Sequence, residues 1–244
     1  MPQVKPKVTL IRHTEDAQQV VAASGKLCYA ADTADLLIQN PDDAETFIKR
    51  VVKMGHLSIL EHASFTFYVE GISRAMTHQL VRHRVASYSQ RSQRYVDHEH
   101  FDYIVPPEFE DKIVEVQGKY INAVDYYKQT MEMIGQRYSK LLDSLGRQGE
   151  ISNQDARYVL PNGCETKIFI TMNARELLHF FEERTCMRAQ WEIRNVANEM
   201  LKIVKEKCPA IFDGAGPKCV RLKKCPEGKK TCGKFQEMLE IYNE

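Results

Sequence analysis

The sequence has no apolar run approaching the ~18 residues that cross a bilayer. Its first residues, Met1-Pro2-Gln3-Val4-Lys5, carry no apolar signal core. A soluble, cytoplasmic protein without a membrane partner is therefore expected. Charge of one sign is also missing: the formal net charge is +1, which argues against a general nucleic-acid coat protein. Neither a GxGxxG fingerprint nor a complete GxxxxGK[ST] loop occurs, so any nucleotide must be held by side chains and ordinary helix ends. The seven cysteines are odd in number and form no CxxC knuckle. An obligate disulfide framework is not expected on that pattern, and most thiols should be reduced.

What remains is ordinary globular material, 244 residues with 43% hydrophobic, enough for a substantial core. Lys7 to Ile11 reads as a strand, with helices around Asp16 to Ala23 and from Asp42 to Met54. Ala63 to Glu70 alternates apolar and polar residues, as a half-buried strand does. Gly71 is expected to break it and Ser73 to cap the next helix. Tyr120, Val124, Tyr127, Met131, Ile134, Tyr138, Leu141 and Leu145 recur at helical spacing and predict one long amphipathic helix. Thr166 to Met172 predicts a further strand. Asn173 with Glu176 then resembles a capping box for a helix with Leu177, Leu178 and Phe181 inward and Arg175, His179 and Glu183 on another face. Ile193, Val196, Ala197, Met200, Leu201 and Val204 mark another helix, which Cys208-Pro209 stops. The fold class is α/β (α+β), a mixed sheet flanked by long helices, with one domain over 1–209 and a Cys/Lys-rich extension over 210–244.

Against the neutral background, Arg82-His83-Arg84 is followed by seven residues and then Ser92-Gln93-Arg94. Arg91 lies between, and the window is interleaved with Ser87, Tyr88, Ser89, Gln90 and Tyr95. Fixed positive charge mixed with neutral hydrogen-bonding groups suits a phosphorylated ligand carrying a polar ring. Each arginine alone is more economically a solvated charge. A second cluster, Asn173-Ala174-Arg175 with Arg184 and Gln190-Trp191-Glu192, shifts that balance.

Arg82-His83-Arg84-x7-Ser92 resembles the signature of the flavin-dependent thymidylate synthases. So do Glu61-His62-Ala63-Ser64-Phe65-Thr66-Phe67, Arg157-Tyr158-Val159-Leu160-Pro161, Thr171-Met172-Asn173-Ala174-Arg175, and Arg184 ahead of Ala189-Gln190-Trp191-Glu192-Ile193. Several blocks in register are far more specific than one. The resemblance implies methylation of dUMP at C5, with carbon from methylenetetrahydrofolate and hydride from FAD reduced by NADPH. It implies a homotetramer with active sites at its subunit interfaces. It assigns FAD to His62, Arg82, His83, Arg84, Asn173, Arg175 and His179. It places dUMP with Gln79, Gln90, Ser92, Gln93, Arg94, Arg157 and Arg184. Arg184 would stabilise charge developing on the uracil, and Ser92 would orient or activate the pyrimidine.

Two other readings stay open: an RNA-binding module that tracks phosphates with Arg82 to Arg94 and stacks bases on Tyr88 and Tyr95, and a flavin reductase without methyl transfer. Cys164 and Cys186 have no nucleophile context and are expected to be inert. Cys208, Cys219, Cys225 and Cys232 have irregular intervals, so reduced thiols or local disulfides are expected over zinc. Asp97-His98-Glu99-His100 is expected to be a solvated polar segment, so no metal is assigned.

Overall fold

The computed structural model describes residues 2–38 and 43–242. Its main sheet has four strands, β1 (Lys7–His13), β2 (Ser64–Ser73), β3 (Ala86–Gln90) and β6 (Glu165–Asn173), in the order β1-β2-β6-β3. A second, two-stranded sheet pairs β4 (Ile113–Val116) with β5 (Lys119–Asn122). With the helices below, this is the α/β architecture expected. The chain folds as two compact units. The first comprises Met1–Lys7, Val69–Gln79 and Ser89–Ile168; the second comprises Val8–Tyr68, Leu80–Tyr88 and Phe169–Glu244. Strands β2, β3 and β6 each supply residues to both.

In the first unit, β2 runs through Gly71 instead of stopping there. The Gly71 N–H donates to the Glu165 carboxylate at 3.0 Å. Its φ is +68°, and a Cβ would stand 2.0 Å from the Lys5 carbonyl oxygen. Glycine is therefore required by a close backbone approach, not by a turn. Ser73 does cap helix α4 (Arg74–Leu80), its Oγ accepting the Met76 N–H at 3.0 Å.

Helix α5 (Ala123–Ser144) starts later than its apolar spacing predicts, because Tyr120 belongs to β5 and is 76% exposed. Gln117 (φ 52°) and Gly118 (φ 78°) form the two-residue turn that joins β4 to β5. Two successive positive φ values match the right-handed twist of a hairpin. Asn122 then caps α5, Oδ1 accepting the Val124 N–H at 2.8 Å. The buried stripe runs Met131, Tyr138, Leu142, while Leu141 faces solvent. Leu142 packs with Tyr138 and with Ala156 of α6 (Glu150–Ala156), which selects it over its neighbour. Phe101, Tyr103, Val105, Met131 and Cys164 form the other cluster of this unit.

The second unit contains α1 (Ala17–Lys26), α2 (Ala34–Ile38), α3 (Ala44–Lys53), α7 (Ala174–Arg184), α8 (Trp191–Lys207) and α9 (Pro209–Phe212). The expected start of α3 at Asp42 lies outside the described residues. Leu177 and Phe181 of α7 are buried as expected, but Phe180 is buried in place of Leu178, which is only half-buried; Ile193, Val196, Ala197, Met200, Leu201 and Val204 of α8 are buried. That spacing is the apolar stripe of a core-facing helix. Phe212 sets its ring edge against Phe65 and Phe181, with centroids 5.5 and 6.1 Å away. Each such ring buried contributes about 1.5–3 kcal/mol. The Ala210 N–H donates to Gln18 Oε1 at 2.7 Å, tying α9 to α1. Helices α10 (Lys218–Leu222) and α11 (Phe235–Tyr242) follow, and the Tyr242 hydroxyl lies 2.7 Å from Asn198 Oδ1 on α8. No helix among the described residues is long and apolar enough to cross a membrane.

Candidate active site

All seven residues that the resemblance assigns to FAD fall in the second unit. Arg82, His83 and Arg84 occupy the turn between α4 and β3. This segment does not continue as a polar loop, because residues 86–90 form an edge strand with Tyr88 half-buried. The Tyr88 hydroxyl pins the turn, reaching the Leu80 and His83 carbonyl oxygens at 2.9 and 2.8 Å. Burial there pushes the phenol above its ordinary pKa, so it stays a proton donor.

His83 is 6% exposed, and its two nitrogens have opposite partners. Arg184 Nε donates to Nε2 at 3.0 Å. Because a guanidinium N–H can only donate, Nε2 must be the unprotonated nitrogen. The proton of neutral His83 is consequently on Nδ1, which faces Glu176 Oε1 at 3.4 Å. Burial, then Arg184 and His179, lower its pKa to about 4. His83 is thus a neutral bracket between a carboxylate and a guanidinium. The His179 and Phe180 rings stand against it, with centroids 5.7 and 5.0 Å away. Nothing in the sequence marks Glu176 as a site residue. Asn173 caps α7 as expected, Oδ1 accepting the Glu176 N–H at 2.9 Å, but the Glu176 carboxylate turns to His83.

Around this bracket the remaining groups face outward. His62 closes a short 3-10 turn, and Arg175 and His179 lie on the exposed side of α7, with Arg175 paired to Glu61. Arg82 and Arg84 are exposed and make no ion pair among the described residues. Only Nε of Arg184 is hydrogen-bonded among those residues, so its two terminal nitrogens remain available.

Protonation of His83 predicts a pH effect on stability. Its folded pKa lies below the unfolded value near 6.5, so the unfolded chain binds the extra proton first as pH falls. The stabilising contribution is complete above about pH 6.5 and is lost towards pH 4. Between pH 7 and 5 this amounts to roughly 2 kcal/mol. Urea midpoints of the parent and His83→Asn should converge at pH 5; parallel loss in both would remove His83 as the cause.

Of the residues assigned to dUMP, all except Arg184 fall in the first unit. Gln90 Nε2 donates to Thr77 Oγ1 at 3.0 Å and lies 3.2 Å from Thr166 Oγ1, while half-buried Gln79 lies near the end of α4. Ser92 Oγ accepts the Arg94 N–H at 3.1 Å, and the Ser92 carbonyl accepts from Val96 at 3.2 Å, folding 92–96 into a turn. No histidine or carboxylate bonds the Ser92 hydroxyl among the described residues. Gln93 Nε2 lies 3.7 Å from Cys164 Sγ. Arg94 pairs with Glu150 at 2.6 Å on a half-exposed surface, a contact weak enough for a phosphate to displace. Arg157 Nε donates to the Gln154 carbonyl at 3.2 Å.

Arg91 leaves the anion-binding set. Its Nη2 meets Glu165 Oε2 at 2.7 Å, and that carboxylate, in a residue 2% exposed, also accepts from Gly71. Burial raises the Cys164 thiol to about 11, giving it no nucleophilic character at neutral pH. The Asp97 to His100 segment is less solvated than expected. His98 is buried, with Nδ1 2.8 Å from the Val96 carbonyl. Glu99 binds Arg147 and Ser139, which hold its carboxyl down to about 2.

Residues 9–210 match a family profile described as "Thymidylate synthase complementing protein". The chain is 46% identical to a flavin-dependent thymidylate synthase of Nitratidesulfovibrio vulgaris, covering 96% of this chain and 97% of the relative. It is also 46% identical to one of Clostridium tetani, over 97% and 96%. Among solved structures, a UMP/dUMP methylase, PolB, from Streptomyces cacaoi bound with 5-Br dUMP shares the fold. The TM-score is 0.72 at 24% identity, covering 86% of this chain and 94% of that one.

Proposed function

The chain belongs to the flavin-dependent thymidylate synthase family, and from that premise we propose that it converts dUMP to dTMP. The carbon comes from methylenetetrahydrofolate and the hydride from FAD reduced by NADPH, with tetrahydrofolate released. The working form is a cytoplasmic homotetramer, in which residues 1–209 carry the reaction and 210–244 form an appended segment. The observation that carries this reading is Arg184, fixed through Nε by neutral His83 with its terminal nitrogens unspent.

The residues suit the cofactor. A flavin dinucleotide presents an anionic pyrophosphate and a polar ring, and the second unit offers Arg82 and Arg84, without an ion pair among the described residues, together with histidine and amide groups. Arg82 and Arg84 would hold the pyrophosphate. His62, Asn173, Arg175 and His179 would hold the remainder, with His83 beneath them as the support of Arg184. Bound flavin supplies the hydride, which removes the need for a cysteine nucleophile on uracil. Arg94 and Arg157 bind the dUMP phosphate, and Gln79, Gln90 and Gln93 provide polar contacts. Ser92 orients the pyrimidine. Arg184 stabilises the negative charge that builds on the uracil carbonyl as C5 becomes nucleophilic, a role that needs a donor already in place.

Purified protein is expected to show a flavin absorption band that bleaches with NADPH, and to release tritium from C5-labelled dUMP when folate is present. Colourless protein that fails to take up FAD would sink the proposal. Arg82→Ala should weaken FAD binding roughly tenfold to a hundredfold, the worth of one charge-assisted hydrogen bond. Equal FAD affinity by fluorescence titration would remove the pyrophosphate assignment.

A further inference from the structure

Four cysteines of the second unit line one cavity. A cavity of about 220 Å³ is lined by Cys186, Cys219, Cys225 and Cys232, all of them free thiols. Spacing along the tail suggests Cys208 as the fourth member, but Cys208 is buried at the end of α8 and is absent from this lining. Its place is taken by Cys186, two residues beyond Arg184. The Cys219 thiol lies above its ordinary pKa through burial first, and then through Cys186, Cys225 and Cys232, which are near enough to act on its charge.

We propose that these four cysteines form a tetrathiolate site for a thiophilic divalent cation, zinc in the cell. Four sulfurs around one point is the closed coordination of structural zinc. In a chain without a disulfide framework such a cluster is a metal site before it is a set of bridges. Each thiol gives its proton to solvent on binding, and the site carries two net negative charges. Lys218, Lys223, Lys224, Lys229, Lys230 and Lys234 surround it in sequence and offset that charge.

The segment also needs such a staple. Between α9 and α11 it has only the five-residue α10 and a three-residue 3-10 turn. Its side-chain ties to α7 and the turn after it are ion pairs at the surface: Lys218 with Glu183, Arg221 with Glu182, and Arg188 with Glu227. Pairs of that kind contribute about 0–1 kcal/mol each, whereas a structural metal contributes folding energy directly. Among the described residues no three His, Cys, Asp or Glu side chains stand where they could hold a metal ion as placed, so binding requires the thiols to move. Cys186, Cys225 and Cys232 lie in turns or coil, where a change of χ1 rotamer moves the sulfur without breaking a helix.

The test is the metal content of the full chain, purified from zinc-supplemented culture and measured by mass spectrometry, with release by a mercurial thiol reagent. About one zinc per chain is expected. Exchange with cobalt should give the charge-transfer and tetrahedral d–d bands of a tetrathiolate. Cys186→Ser and Cys232→Ser should lose the metal, while Cys28→Ser and Cys208→Ser should keep it. The cobalt spectrum of the parent chain decides the matter if a variant fails to fold. Metal-free protein with four titratable thiols, a disulfide found by mass mapping, or full zinc content in Cys186→Ser would each overturn the proposal. None of these readouts depends on methylation.

Discussion

Arg184→Ala is expected to lower turnover of dUMP about a hundredfold to a thousandfold, the loss seen when one preorganised donor to developing charge is removed. FAD affinity and the flavin spectrum should be nearly unchanged, since the pyrophosphate is assigned to Arg82 and Arg84. Tritium release from C5 of dUMP, measured in the presence of reduced flavin, reads the step directly. Arg184→Lys should recover little of the activity. A lysine lacks the planar fork that lets one nitrogen bond His83 while two others face a ligand. Retained turnover in the alanine variant would take Arg184 out of the reaction. Loss of flavin instead would make it a cofactor ligand.

The largest effect on stability is expected at Arg91. Removing it as Arg91→Met leaves the Glu165 carboxylate buried with only the Gly71 N–H for compensation. Breaking one partner of a buried pair costs about 3–5 kcal/mol. Arg91 is partly exposed, so the lower end applies. Neutralising both partners, with Arg91→Met and Glu165→Gln together, keeps the acceptor for Gly71 and should restore about half the loss. A urea midpoint that does not move in the single variant would show that the pair behaves as an exposed one.

Local chemistry was legible in the sequence. The caps at Ser73 and Asn173, the stripe of α8, that of α7 apart from Leu178, and the stop at Cys208-Pro209 are consequences of near-neighbour spacing, and the structure has them. The candidate residues came from motif, and their distribution follows the two units: those assigned to flavin in one, those assigned to the nucleotide, apart from Arg184, in the other. What spacing could not supply was which polar groups spend one another. Arg91 looks equivalent to Arg82, Arg84 and Arg94 until Glu165, 74 residues away, is seen to hold it. Nor does spacing show that Nε2 of His83 accepts from Arg184, 101 residues away. The capping-box spacing of Glu176 was real, but a distant histidine competes better for its carboxylate. The β4-β5 hairpin was missed because a glutamine occupies one of its two positive-φ positions, where asparagine or aspartate gives the stronger signal.

The hydrogen bond from Ala210 to Gln18 spans 192 residues, and Phe65 likewise waits for Phe212 near the far end of the chain. On the ribosome, the N-terminal helices therefore emerge long before the surfaces that bury them have been synthesised. Contacts so remote in sequence make folding slow and leave apolar faces open to unwanted association. This part of the core cannot close until translation has passed α9.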